Sequence, residues 1–257
     1  MATIKPFKAV RPAQDKAARV AALPYDVYNR EEAKQEIQKE KLTFLKIDRP
    51  ETQFPDDMDM YDPKVYQKAK EMYEEAKTDQ TLIQDQDICF YIYRLTMDGR
   101  AQTGIVACAL VDDYLNNVIK KHENTREEKE QDRICHVDAL SAQTGPIFLA
   151  YRSKKEINDI VNEVMKTEPL YDFTASDGIQ PTASLTNVRL PASLPTVFLM
   201  AATTMCLPVG RSLTALVISS NVTIMPNHGA ALPLFWRNDW VGMSLPNVVC
   251  WRENATM

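Results

Sequence analysis

Charge is scarce in the last third of this chain. After Asp177 only Arg189, Arg211, Arg237, Asp239, Arg252 and Glu253 carry it, 6 of 80 positions. The chain-wide 25% would place roughly 20 there. Prolines interrupt every apolar run in that stretch, and neither a helical stripe nor a capping box is evident. Also missing is an uninterrupted apolar run of the roughly 18–20 residues a spanning helix needs. Leu194–Ser220 comes nearest, but Pro195, Pro208 and Arg211 break it; a membrane protein would need that stretch to span in spite of them. The five cysteines (Cys89, Cys108, Cys135, Cys206, Cys250) show no CxxC spacing and are odd in number. With no signal peptide at the N-terminus they read as reduced thiols of a cytoplasmic protein. A net charge of -5 disfavours nonspecific nucleic-acid binding as the main role.

The first two-thirds is locally consistent. Lys5 to Val10 reads as a short strand, and Ala21 to Val27 as an extended loop shaped by Pro24. Asn29-Arg30-Glu31-Glu32 is a capping box starting a helix to about Lys41. Thr43 to Ile47 reads as a strand. Asp62-Pro63 opens a helix on which Val65, Ala69, Met72, Tyr73 and Ala76 recur at helical spacing. Ile88–Leu95 and Ala101–Val111 form a hairpin about Asp98-Gly99, a favoured type I′ pair. Cys89 and Cys108 lie in these strands and read as buried, inert thiols. Ile147–Tyr151 is another strand. Ser153 to Glu156 caps a helix with the stripe Ile157, Ile160, Val161, Val164 and Met165. Helices and strands are interspersed, which predicts an α+β (mixed α/β) fold.

Two parts are therefore expected: residues 1–177 as the α/β domain, and 178–257 as a poorly ordered or ill-packed tail. The local rules that agree before Asp177 stop agreeing after it, as a shift of reading frame would produce. Codons for Gly229 to Gly242 (GAALPLFWRNDWVG) regrouped one base earlier can encode RRRSAVILAERLGR, with ordinary charge and helical spacing.

The densest charge lies in Lys120–Arg133, KKHENTREEKEQDR. Glu123 and Arg126 stand one turn apart if the segment is helical. The bland reading is a solvated helix: Thr125-Arg126-Glu127-Glu128 is itself a capping box, and Glu127 and Glu128 satisfy the first-turn dipole. Asp26, after Pro24 and Tyr25, reads either as a turn residue bonded to its own backbone or as a carboxylate for a substrate amine or proton. His136 beside Cys135 has no partner at zinc spacing and reads as a hydrogen-bonded core or surface histidine.

Five blocks carry a resemblance: PYDV (Pro24–Val27), FLKIDRPE (Phe44–Glu51), DGRAQTGIVA (Asp98–Ala107), DDYLNNVIKKHENTREEKEQDR (Asp112–Arg133) and TGPIFLAY (Thr144–Tyr151). Together they resemble the bacterial and archaeal domain of unknown function 1015 family, over roughly Ile4 to Gly178. That family resembles free-serine kinases, which share a fold with ParB-type nucleotide-binding domains and sulfiredoxin. The resemblance implies phosphorylation of L-serine to O-phosphoserine with ATP or ADP and Mg²⁺. The alternative it leaves open is a ParB-like nucleotide-binding regulatory module without kinase activity. Glu123-Asn124-Thr125-Arg126 is similar to a motif at the nucleotide site of ParB-like domains. On that footing Glu123 orients serine or holds Mg²⁺, His122, Asn124, Thr125 and Arg126 bind nucleotide phosphates, Asp26 is a second catalytic acid and Tyr25 contacts substrate. The implied partners are a small-molecule substrate and a nucleotide, with neither nucleic acid nor membrane. The family continues with an Asp-Gly-His-His-Arg block that cradles phosphates. Here Asn227-His228-Gly229 is the nearest fragment, so this copy is expected to lack activity if that loop is gone.

Overall fold

The computed structural model describes residues 2–97, 99–120, 126–174, 180–186, 193–194, 197–199, 214–219 and 249–251. It is a mixed helix-and-sheet fold. Its strands are β1 (Ala2–Lys5), β2 (Ala9–Pro12), β3 (Leu82–Gln84), β4 (Phe90–Met97), β5 (Arg100–Ala109), β6 (Ile119–Lys120), β7 (Ala142–Gln143), β8 (Ile147–Tyr151), β9 (Tyr171–Asp172), β10 (Gln180–Thr186), β11 (Ser193–Leu194), β12 (Val197–Leu199), β13 (Thr214–Ser219) and β14 (Val249–Trp251). The helices are α1 (Ala17–Val20), α2 (Arg30–Lys39), α3 (Leu45–Asp48), α4 (Pro63–Thr78), α5 (Val111–Leu115), α6 (Glu127–Leu140) and α7 (Lys155–Val164). The larger sheet runs β6-β12-β8-β13-β5-β4-β10-β9, with β1 joining β5 and β11; the smaller runs β3-β2-β14-β7.

Pro6 divides the single strand expected over Lys5–Val10. Proline cannot donate to a ladder, and the chain changes sheets there: β1 pairs with β5, β2 with β3 and β14. Phe7 spans the crossing, exchanging 3.0 Å backbone bonds with Cys89. The hairpin follows its turn chemistry. Met97 pairs with Arg100 around a two-residue loop, and Gly99 takes φ +74, which costs glycine nothing.

Thr43–Ile47, expected as a strand, instead leads into α3. Phe44 and Ile47, three residues apart, enter one core cluster with Val20, Met72 and Tyr73, while Leu45 enters another with Ala33 and Ile37. A strand would have put Leu45 and Ile47 on one face; a helical turn separates them. The helix ends at Arg49-Pro50, since a residue before proline is driven from helical geometry.

Capping works as read for α2 and α4. The Asn29 side chain accepts from the Glu32 N–H at 2.9 Å while the Asn29 N–H donates to Glu32 at 2.8 Å. Asp62 accepts from Lys64 N–H at 2.8 Å, and the α4 stripe is buried. The cap expected of Ser153 does not form. The N-cap of α7 is Lys154, without a side-chain bond, and the Ser153 hydroxyl accepts from the Asn158 side chain at 2.8 Å.

Two cores result. In the larger sheet Phe90, Ile92, Ile105, Ala107, Ile147 and Leu149 pack with Ile157 and Val164 of α7. In the second, α4 covers Val10, Leu82 and Ala142 from the smaller sheet together with Leu140 of α6. A buried polar link joins the sheets. Arg11 of β2 pairs with Asp85 at 2.8 Å and donates to the Tyr171 hydroxyl of β9 at 2.7 Å.

No element was read from the residues after Asp177, yet β10 to β14 lie there. β10 pairs with β4 over seven positions, and β13 lies between β5 and β8. Among the described residues, no helix is long and apolar enough to cross a membrane.

Candidate active site

Tyr25 to Val27 form one 3-10 turn after Pro24, closed by a 3.1 Å bond from Val27 N–H to the Pro24 carbonyl. Asp26, at its centre, is exposed, and Tyr25 is half-buried. Two arginines meet this turn. Arg49, at the end of α3, donates from Nη1 to the Tyr25 carbonyl at 2.8 Å and to the Tyr28 carbonyl, and from Nε to Glu51 at 2.5 Å. Arg133, on α6, stacks its guanidinium 4.2 Å from the centroid of the Tyr25 ring. Its Nη2 and Nε donate to Asp132 Oδ2 at 2.9 and 3.2 Å, and Asp132 Oδ1 accepts from the Tyr66 hydroxyl at 3.0 Å.

Asp48, next to Arg49 in the chain and within reach of the Arg133 charge, accepts from the Thr144 hydroxyl at 2.9 Å. The Asp48 residue keeps some surface, but its carboxyl is enclosed. Burial pushes its pKa up to about 6, against the opposing pull of Arg133 and the Thr144 hydrogen bond. Arg133 stays charged: burial disfavours the cation, but Asp132, Tyr25 and Asp48 outweigh it and leave the pKa raised. Burial and the Asp132 charge raise the Tyr66 phenol, keeping it a donor.

His136 is a core residue, 1% exposed. Its Nε2 faces the Ile47 carbonyl at 2.9 Å, so Nε2 carries the proton and donates, and the buried Nδ1 has no partner among the described residues. Burial, reinforced by Arg133, lowers its pKa to about 3. The ring is neutral and holds α6 against α3.

Of the residues expected to form the site, Tyr25 and Asp26 share the turn just described. Arg126 is exposed and occupies the N-cap position of α6, where its carbonyl accepts from Lys129 and Glu130 N–H at 3.0 Å. The capping box of the bland reading rests on Thr125, which lies outside the described residues. The helix starts at Glu127, and its N-cap residue makes no side-chain cap bond. Its first turn carries Glu127, Glu128 and Glu130, whose charge opposes a phosphate at the helix end itself. His122, Glu123, Asn124 and Thr125 lie outside the described residues, directly before Arg126. Among the described residues no group of three or more His, Cys, Asp or Glu side chains could hold a metal ion. Nucleotide-bound Mg²⁺ needs only one or two carboxylates beside the phosphates, and Asp26 is the described carboxylate exposed on the turn.

Asp48, Arg49, Glu51, Asp132, Arg133 and Thr144 were not read as site residues. Their signal was present, because each falls inside a block quoted above. Tyr25 comes from PYDV, Asp48 to Glu51 from FLKIDRPE, Arg133 from the charged block and Thr144 from TGPIFLAY. Four blocks separated along the sequence meet in one polar cluster.

The model of the family described as "Protein of unknown function (DUF1015)" matches residues 4–192. The chain belongs to this family. The DUF1015 match covers every residue of the polar cluster and extends through β10. No curated protein and no solved structure matches the chain.

Proposed function

We propose that this DUF1015 protein is a cytoplasmic, nucleotide-dependent kinase of a small hydroxyl amino acid, L-serine in the first instance. Its fold would be related to ParB-type nucleotide-binding domains and sulfiredoxin. The observation that carries the reading is the meeting of three blocks at the Tyr25 turn, with Thr144 of the fourth bonded to Asp48 beside Arg49. A solvated helix needs no largely covered Arg133 stacked on a tyrosine from a distant block of the sequence, and a plain turn needs no second arginine gripping its carbonyls.

In this proposal the serine hydroxyl oxygen attacks the terminal phosphorus of ATP or ADP. The bond from that phosphorus to the bridging oxygen breaks, releasing ADP or AMP, and the hydroxyl proton passes to a carboxylate, Asp26 or Glu123. Bound Mg²⁺ would neutralise phosphate charge, held by Glu123 and the nucleotide itself. His122, Asn124, Thr125 and Arg126 would bind the phosphates; the Arg126 fork suits two phosphate oxygens at once. Tyr25 would contact the substrate.

A specific feature favours a second reading. The chain lacks an Asp-Gly-His-His-Arg block, as a module that binds nucleotide without transferring phosphate would. Nucleotide consumption coupled to L-serine separates the two. Serine-dependent turnover abolished by Glu123→Ala is expected from the kinase. Calorimetric nucleotide binding that is indifferent to serine, without turnover, would establish the binding module. Sequencing the coding DNA beyond codon 177 belongs beside this assay, because it decides whether a version of the chain in another frame carries the phosphate loop. No serine-dependent turnover from either version removes the kinase reading.

A further inference from the structure

We infer that Arg49 and Arg133 are positioning residues that clamp the Tyr25–Val27 turn from two sides and so fix where Asp26 stands; the catalytic consequence rests on the kinase reading. The turn has little hold of its own. It is three residues long, has no buried residue and no side-chain cap bond. What fixes it comes from elsewhere in the chain. Arg49 takes the backbone, using one nitrogen for the carbonyls of Tyr25 and Tyr28 while Nε stays on Glu51. Arg133 takes the side chain, covering the Tyr25 ring while Asp132 holds two of its nitrogens.

Both clamps are built rather than incidental. The Arg49 and Glu51 side chains are 11% and 4% exposed, and those of Arg133 and Asp132 are 12% and 6%. Asp132 is in turn held by Tyr66 of α4. Each arginine is thus oriented by its own carboxylate before it meets the turn. Lysine cannot reproduce this, because a point charge has no planar fork to serve two directions at once. Arg133 also ties the turn to α6, whose N-cap residue is Arg126, so Asp26 and Arg126 share one support.

The test uses the full chain and two independent readouts. Arg133→Met and Arg49→Lys should each lower kcat for serine by about 100-fold, with KM for nucleotide changed less than about twofold, as expected when a reacting group is displaced by about an ångström. Amide exchange at Tyr25 to Tyr28 should accelerate about tenfold while that of α4 holds. Tyr25→Leu should accelerate the same amides, Tyr25→Phe should leave them at the wild-type rate, and Tyr25→Leu with Arg133→Met should go no further than either alone. Exchange unchanged in Arg133→Met and Tyr25→Leu would overturn the inference. So would acceleration throughout the protein, or Tyr25 and Arg133 effects that simply add. If Arg133→Met does not fold, Tyr25→Leu and Tyr25→Phe decide the ring contact alone. A wild-type chain that never turns over serine defeats the kinase reading, and the exchange measurements still decide the clamp.

Discussion

Thr144 donates its hydroxyl to the Asp48 carboxyl at 2.9 Å, joining positions 96 residues apart. The bond ties the segment before β8 to the end of α3, and Thr144 is 4% exposed. Thr144→Val keeps the shape and removes the donor, leaving Asp48 enclosed with one partner fewer. A loss of about 1–3 kcal/mol is expected at neutral pH, the usual cost of stranding a buried polar group. Chemical denaturation of the two proteins measures it, and Thr144→Ser should restore most of the loss. A Thr144→Val protein as stable as wild type would mean the bond contributes nothing.

Asp48 and His136 give opposite pH dependences in overlapping windows. The Asp48 pKa rises from 3.8 to about 6 on folding, so between those values the folded state holds the extra proton. Its contribution therefore weakens stability as pH rises through that window, by up to about 3 kcal/mol. His136 falls from 6.5 to about 3, so the unfolded state holds the extra proton and stability is lost as pH drops below about 6.5. Where both titrate, the two slopes oppose each other. Asp48→Asn removes one of them, so its stability should fall more steeply than wild type between about pH 6 and 4. Parallel stability curves for the two proteins would refute this assignment.

Tyr66 supports the Arg133 clamp at one remove. Tyr66→Phe deletes the 3.0 Å bond to Asp132 without opening a cavity. A bond to a charged group predicts a cost of about 1.5–3 kcal/mol. Because Arg133 still neutralises Asp132, the loss should sit near the lower end. Thermal or urea unfolding reads it directly, and an unchanged midpoint would show that Arg133 alone satisfies the carboxylate.

What was legible in the sequence was local. Asp62-Pro63 and the Val65–Ala76 stripe announce α4 because cap and period lie within a few turns. Asp98-Gly99 announces its hairpin for the same reason. Phe44, Leu45 and Ile47 mislead because three apolar residues in four fit either period, and only the neighbours at Val20 and Ala33 decide between them. The polar cluster was not legible. Tyr25 with Arg133 and Asp48 with Thr144 are each about a hundred positions apart, and no local pattern encodes such pairs. The resemblance marked the blocks that hold these residues, but only the fold brings them together.

Truncation after Asp177 should cost the fold rather than trim it. β13 stands between β5 and β8, so its removal parts the sheet beside Ile105, Ala107, Ile147 and Leu149 of the main core. Loss of β10 uncovers β4 along its seven paired positions. The unpaired edges left behind are templates for pairing with other chains. The apolar TALVIS of β13 suits a strand flanked on both sides, which is one physical reason for low charge in that stretch. A 1–177 protein is expected to aggregate or to unfold without cooperativity, as read by gel filtration and thermal melting. A soluble monomer with a sharp melt would show that the first 177 residues close their own core, and would make these strand pairings dispensable.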